Sequence, residues 1–155
     1  MQRQMLKSKI HRATVTDCDV DYVGSITVDP ELMASADLLP NEQVHVWDIE
    51  NGARFVTYVI EGERGSGEVQ VNGAAARLVR TGDKAIIASF GSYGPEDLEA
   101  YSPIVVHVDE RNRITAVDSN PEVLLTGFVT PEAGPVGADD VPGVLAQGAN
   151  GGLPA

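Results

Sequence analysis

Three Gly-Ser pairs, Gly24-Ser25, Gly65-Ser66 and Gly91-Ser92, offer serine hydroxyls next to flexible backbone. Taken singly, each reads as an ordinary turn. Ser25 lies between strand-like segments, in the run Tyr22-Val23-Gly24-Ser25-Ile26, a weak signal by itself. A hydrolase built on Ser25 needs a base and an orienting acid, and no Asp and His neighbours mark such a triad along the chain. Arg54, with a planar fork suited to a carboxylate, and Lys9, a point charge, are candidate anion ligands. By position alone, each reads first as an exposed, solvated charge. Cys18 is the only cysteine, which excludes an intrachain disulfide and a cysteine metal cage. Its neighbours Asp17 and Asp19 disfavour a thiolate, so it reads as inert. His45 and His107 alternate with valines, match no metal spacing, and read as partly exposed strand residues.

The elements that must position these residues belong to one domain. The chain has 155 residues, 43% hydrophobic and 22% charged, enough for a single core. A net charge of −12 argues against nucleic acid as a partner, since phosphate binding needs a basic face. Basic residues are nonetheless concentrated early: Arg3, Lys7, Lys9 and Arg12 precede any acid, and none follows Arg113. Such a local basic site suits a small anionic ligand. Neither a membrane-crossing apolar run nor a secretory signal is recognisable, and the chain reads as a soluble cytoplasmic protein.

Strand-like runs recur at Ala13-Thr14-Val15-Thr16, Val44-His45-Val46-Trp47, Phe55-Val56-Thr57-Tyr58-Val59-Ile60 and Ile104-Val105-Val106-His107-Val108. Asn51-Gly52 and Asn72-Gly73 signal tight turns, and Glu63-Arg64-Gly65-Ser66-Gly67 a loop. Many short strands with frequent turns predict an all-β barrel or sandwich. Short helices are expected from Asp29-Pro30 to Ala36 and from Pro95 to Ala100, each with proline in its first turn. Beyond about Asn120 the chain is rich in Gly and Pro, and Thr130 to Ala155 reads as a disordered tail.

Read together, Lys9-Ile10-His11-Arg12, Tyr22-Val23-Gly24-Ser25, Trp47, Arg54-Phe55-Val56-Thr57-Tyr58, Glu63-Arg64-Gly65-Ser66 and Asn72-Gly73-Ala74-Ala75-Ala76 form an ordered set. This set resembles the pyruvoyl-dependent aspartate α-decarboxylases of bacteria. The resemblance spans residues 1–120, leaving 121–155 as a C-terminal extension. It implies a six-stranded double-psi β-barrel, a homotetramer, and conversion of L-aspartate to β-alanine and CO₂ for pantothenate synthesis, with no metal.

The resemblance also implies roles. Self-cleavage between Gly24 and Ser25 begins with attack of the Ser25 hydroxyl on the Gly24 carbonyl, which glycine leaves open because it has no Cβ. The product is a pyruvoyl group at position 25, which forms a Schiff base with the substrate amine and serves as the electron sink for decarboxylation. Thr57 corresponds to the helper in self-cleavage and Tyr58 to the proton donor. Lys9, Arg54, Thr57, Asn72, Gly73, Ala74, Ala75, His11 and Trp47 correspond to the substrate-binding set, with His11 as a source of charge and Trp47 as an apolar wall. In a flat strand Thr57 and Tyr58 point to opposite faces, so one site can use both only if the strand twists, bulges or lies between subunits. Spontaneous cleavage and cleavage assisted by an accessory processing protein both fit the motif. Two other readings keep the backbone intact: a non-enzymatic oligomeric β-barrel that binds a small anion, and the Ser25 hydrolase.

Overall fold

The computed structural model describes residues 1–121; the predicted tail lies outside them. Nine strands occur among the described residues: β1 (Arg3–Thr14), β2 (Asp17–Asp19), β3 (Ile26–Val28), β4 (Gln43–Asp48), β5 (Arg54–Glu61), β6 (Val69–Asn72), β7 (Lys84–Tyr93), β8 (Ile104–Val108) and β9 (Ile114–Asp118). Two short helices, α1 (Pro30–Ser35) and α2 (Pro95–Leu98), and a 3₁₀ segment, Gly73–Arg77, complete the elements. The class is all-β. No described helix is long and apolar enough to cross a membrane.

Alternating side chains explain why these runs become strands. In β4, Val44 and Val46 are fully buried while His45 and Trp47 are half-buried on the other face. In β5, Phe55 and Val59 pack inward, whereas Arg54, Val56 and Tyr58 stay exposed. Ile10, Ile26, Val71 and Ile87 join the same core. Each such fully buried aliphatic side chain contributes roughly 1.5–3 kcal/mol.

The strands join in the order β2-β6-β3-β5-β4-β7-β1-β8-β9. Strands β3 and β5 run parallel, with Ile26 opposite Val59, as do β2 with β6 and β1 with β8. The parallel β3–β5 pairing requires a crossover, and α1 lies in it. Asp29 caps α1 by accepting from the Glu31 amide at 2.8 Å, and it also accepts from Gly65 at 3.0 Å and Gly67 at 2.8 Å. Burial alone pushes this carboxyl up, but the three amides and Arg64 outweigh it and hold it below the usual carboxylate range. The Glu63-Arg64-Gly65-Ser66 motif is therefore a loop clamped to a helix start.

Three local expectations change. The strand read at Ala13–Thr16 is the end of a longer β1 that stops at Thr14. Asn72-Gly73 is not a hairpin turn: Asn72 ends β6 fully buried, and Gly73 starts the 3₁₀ segment. His107 is buried rather than partly exposed, because β9 pairs with β8 and its Asp118 lies 2.8 Å from the His107 Nε2.

Candidate active site

Just before β3 the backbone takes two consecutive left-handed conformations, Gly24 at φ 62° and Ser25 at φ 86°. Glycine adopts this at little cost, but a serine held there stores about 1–3 kcal/mol and needs surroundings that over-determine it. Those surroundings are visible. The Gly24 amide donates to Tyr22 O at 2.7 Å, and the Asn72 amide donates to Ser25 O at 3.0 Å. The Tyr58 hydroxyl donates to Val23 O at 3.2 Å.

Asn72 organises the hydroxyl itself. Its side-chain amide donates to Ser25 Oγ at 3.1 Å and to Thr27 Oγ1 at 2.9 Å, while its Oδ1 accepts from Gln70 Nε2 at 2.8 Å. Ser25 is only 3% exposed, so this network fixes a nucleophile-bearing side chain with little competition from water.

Gly73 lies directly against the strained pair. A Cβ built there would stand 2.7 Å from both the Cα and N of Gly24, and Gly73 has φ 64°. Both constraints exclude a side chain. Replacing Gly73 with alanine should therefore lower stability by about 1–3 kcal/mol and displace Gly24. Thermal unfolding and intact-mass measurement of the variant check this; wild-type behaviour in both would show that the contact is soft.

Around Ser25 opens a cavity of about 650 Å³ lined by Gly24, Ser25, Thr57, Tyr58, Asn72, Ala74 and Ala75, together with Phe55, Val56, Arg77 and Leu78. Thr57 and Tyr58 both reach it despite alternating along β5. Ile26 pairs with Val59 in parallel, so Gly24 and Ser25 lead into the paired stretch just as Thr57 and Tyr58 do on β5, and all four line the cavity.

Lys9, His11, Trp47 and Arg54 do not line this cavity. They lie on β1, β4 and the start of β5. Arg54 pairs across strands with Trp47 and places its guanidinium 5.0 Å from the indole centroid. Along β5, Arg54 precedes Tyr58 by four residues, a separation of about 13 Å at ~3.3 Å per residue. Lys9 donates to the Pro121 carbonyl at 2.8 Å, and burial lowers its pKa, partly offset by Asp118. His11 stands edge-on to His107 at 5.8 Å, with neither ring nitrogen hydrogen-bonded among the described residues. Burial, then Lys9, His107 and Arg12, drives its pKa down to about 4. At neutral pH the protomer therefore presents a neutral imidazole, not the charge expected of it.

Sequence reasoning overlooked Phe55, Val56, Arg77 and Leu78 in the lining, and Gln70 and Thr27 behind Asn72. Gln70 and Asn72 share a face of β6 at a spacing of two, a signal that was available; the others have no local signature. The Cys18 thiol is pushed up by burial, against an opposing hydrogen bond from Thr81, with Asp17, Asp83 and Asp48 adding to the rise. Among the described residues no three His, Cys, Asp or Glu side chains gather as metal ligands.

Residues 1–115 match the family model described as aspartate decarboxylase. The aspartate 1-decarboxylase of Thermoanaerobacter pseudethanolicus is 58% identical over 113 residues, covering 73% of this chain and 97% of that protein. Those of Acetivibrio thermocellus and Moorella thermoacetica are each 56% identical, over 115 and 117 residues, covering 74% and 76% of this chain and 91% of each relative. Among solved structures, a rationally designed protein, mkDPBB_sym_86, matches with a TM-score of 0.39 and 17% identity over 50% of this chain and 90% of its own, too slight a likeness to carry weight. With the family match over residues 1–115 and relatives more than half identical along nearly their whole length, this chain belongs to the aspartate decarboxylase family.

Proposed function

We propose that the chain decarboxylates L-aspartate to β-alanine and CO₂, feeding pantothenate synthesis, after cleaving itself between Gly24 and Ser25 to make a pyruvoyl group from Ser25. The observation that carries this reading is the strained Ser25, its hydroxyl held by buried Asn72 beside a glycine carbonyl in a cavity lined by Thr57 and Tyr58. The names of the relatives support the substrate.

The residues fit the group. Gly24 exposes its carbonyl to the adjacent Ser25 hydroxyl, and the left-handed backbone makes relief of strain part of the driving force for scission. Thr57, which lines the cavity with Gly24, polarises that carbonyl. A pyruvoyl ketone supplies an electrophile for the substrate amine and a sink for the electron pair released as CO₂ departs. Tyr58 Oη holds the proton that the product carbon receives, acting as the positioned acid. Asn72, Gly73, Ala74 and Ala75 form a wall of small residues along which the substrate backbone lies.

Lys9, His11, Trp47 and Arg54 serve this chemistry from a second copy of the chain. Their face also exposes Val56 at 54%, Tyr58 at 40% and Phe90 at 39%, apolar surface suited to burial between subunits. A homotetramer supplies such a neighbour to every cavity.

Intact mass under denaturing conditions tests the reading. The purified protein should give two fragments, residues 1–24 and 25–155, and should release β-alanine and CO₂ in equal amounts from L-aspartate. One full-length mass with no β-alanine would return the chain to an anion-binding barrel.

A further inference from the structure

Asn72 presents the two ends of its amide to different partners. Its Nδ2 donates to Ser25 Oγ at 3.1 Å and to Thr27 Oγ1 at 2.9 Å, and its Oδ1 accepts from Gln70 Nε2 at 2.8 Å. The two hydroxyls can each donate or accept, so neither fixes which end of the amide faces Ser25. The donor at position 70 favours the observed polarity, and an acceptor there would favour the reverse. Asn72 is fully buried, so water does not compete for its oxygen, whereas Gln70 is half-buried and stands outside the cavity lining.

We infer that Gln70 is a positioning residue for self-cleavage, its amide holding the Asn72 N–H on Ser25 Oγ, an inference that rests on the self-cleavage reading above. The polarity matters once the hydroxyl has attacked. In the attack, Ser25 Oγ bonds to the Gly24 carbonyl carbon, the bond from that carbon to the Ser25 nitrogen breaks, and the hydroxyl proton ends on the nitrogen. The resulting ester then eliminates. Water takes the Ser25 Cα proton, the electron pair left behind forms the Cα=Cβ bond, and the Cβ–Oγ pair departs on Oγ, which becomes an oxygen of the Gly24 carboxylate. Negative charge thus grows on the atom that the Asn72 N–H meets, and a fixed donor there lowers the barrier. An Asn72 turned about would set its carbonyl oxygen against that charge.

The test compares wild type, Gln70→Met and Gln70→Glu as full chains, newly made by cell-free synthesis so that intact mass follows cleavage from its start. Methionine keeps the length of the side chain without the donor, and cleavage should slow by about 10-fold or more at every pH, as expected for an acceptor left unsatisfied in the interior. Glutamate titrates. Protonated, it donates to Asn72 Oδ1 as glutamine does; ionised, it only accepts and draws the Asn72 N–H away from Ser25. Strands β2 and β3 and the 3₁₀ segment pack against β6. Their charged residues are Asp17 and Asp19 on β2 and Arg77 on the 3₁₀ segment, with Glu68 just before β6 and only neutral side chains on β3. Three acids against one base, together with partial burial, should raise a carboxyl at position 70 above its usual range. Relative to wild type at the same pH, Gln70→Glu should therefore cleave within about 3-fold in mildly acidic buffer and fall to the Gln70→Met rate or below as the pH rises. Recovery in acid within one protein excludes a folding defect, and this profile decides alone if the methionine variant does not fold. The slowed chains should hold the ester, which brief treatment with neutral hydroxylamine splits between residues 24 and 25.

A Gln70→Met rate within about 2-fold of wild type overturns the inference, as does a Gln70→Glu chain that is as slow in acid as in base, or a slowed chain that holds no ester. A wild type that cleaves alongside any of these results removes the inference alone. A wild type that stays whole, even when purified from cells, removes the self-cleavage reading beneath it as well.

Discussion

Replacing Ser25 with alanine should leave a single 155-residue chain that neither cleaves nor decarboxylates. Alanine has no oxygen to attack the Gly24 carbonyl, so no ester forms and position 25 never becomes a ketone. The fold should survive. Asn72 loses one acceptor at Ser25 Oγ but keeps Thr27 Oγ1 and its bond from Gln70, so the destabilisation should stay near the 1–3 kcal/mol typical of one unsatisfied buried donor. The other two Gly-Ser pairs should not substitute. Ser66 Oγ donates to Glu63 O at 2.6 Å in an exposed loop, and Ser92 Oγ to Gln2 Oε1 at 2.9 Å at the end of β7. Ser25 is the only one of the three serines with a positive φ. Denaturing mass spectrometry and an aspartate turnover assay decide the matter. A cleaved, active Ser25→Ala chain, or fragments meeting at residue 66 or 92, would place the reactive bond elsewhere.

That distinction between three identical dipeptides marks where local sequence stops being informative. Strands β4, β5 and β8 were legible because valines alternate or cluster there. Strand β7 and the first half of β1 were not, because their contact includes Ser8 and Ser89, both 1% exposed and hydrogen-bonded to each other at 2.9 Å, which breaks the apolar pattern. The short β9 is exposed or half-buried along its whole length, and missing it led directly to the wrong burial for His107. Asn72-Gly73 carries the dipeptide signal of a hairpin turn, but the partners that bury Asn72, Ser25 and Thr27, lie more than forty residues away.

The same limit applies to the site. The resemblance grouped Arg54, Thr57 and Tyr58 in one site, and within the protomer Arg54 lies apart from the cavity that Thr57 and Tyr58 line. Thr57 and Tyr58 share that cavity with Ser25 because the parallel β3–β5 pairing brings both segments to it. Arg54, on the same face as Tyr58, is carried away by four strand residues and stacks on Trp47 instead. Strand alternation predicts which face a side chain takes; it does not reveal which segment pairs with the strand. Arg77 shows the converse. Nothing in its immediate sequence marks it, and only the return of the 3₁₀ segment to Gly24 brings it to the cavity.

Changing Tyr58 to phenylalanine should separate the two reactions that share this cavity. For self-cleavage the hydroxyl contributes one hydrogen bond, to Val23 O at 3.2 Å, and the loop keeps its bonds from Asn72 to Ser25 O and from Gly24 to Tyr22 O. A net hydrogen bond of this kind is worth about 0.5–1.5 kcal/mol, so cleavage should slow by roughly 10-fold at most and still reach completion. In the decarboxylation proposed above the same oxygen is the proton donor to the product carbon, and its neighbours offer no ready replacement: Phe55, Val56, Ala74, Ala75 and Leu78 are apolar, and both Asn72 side-chain N–H groups are engaged. Loss of a positioned acid typically costs on the order of 10²–10⁴ in rate. The comparison must therefore be made per active site, by titrating the ketone with a hydrazine reagent and dividing the turnover of each protein by that value. The expected variant is fully cleaved, carries a normal ketone content and turns over at least about 100-fold more slowly than wild type. Turnover per ketone within a few-fold of wild type would make Tyr58 a packing residue at the rim, with the proton coming from bound water or from the neighbouring subunit.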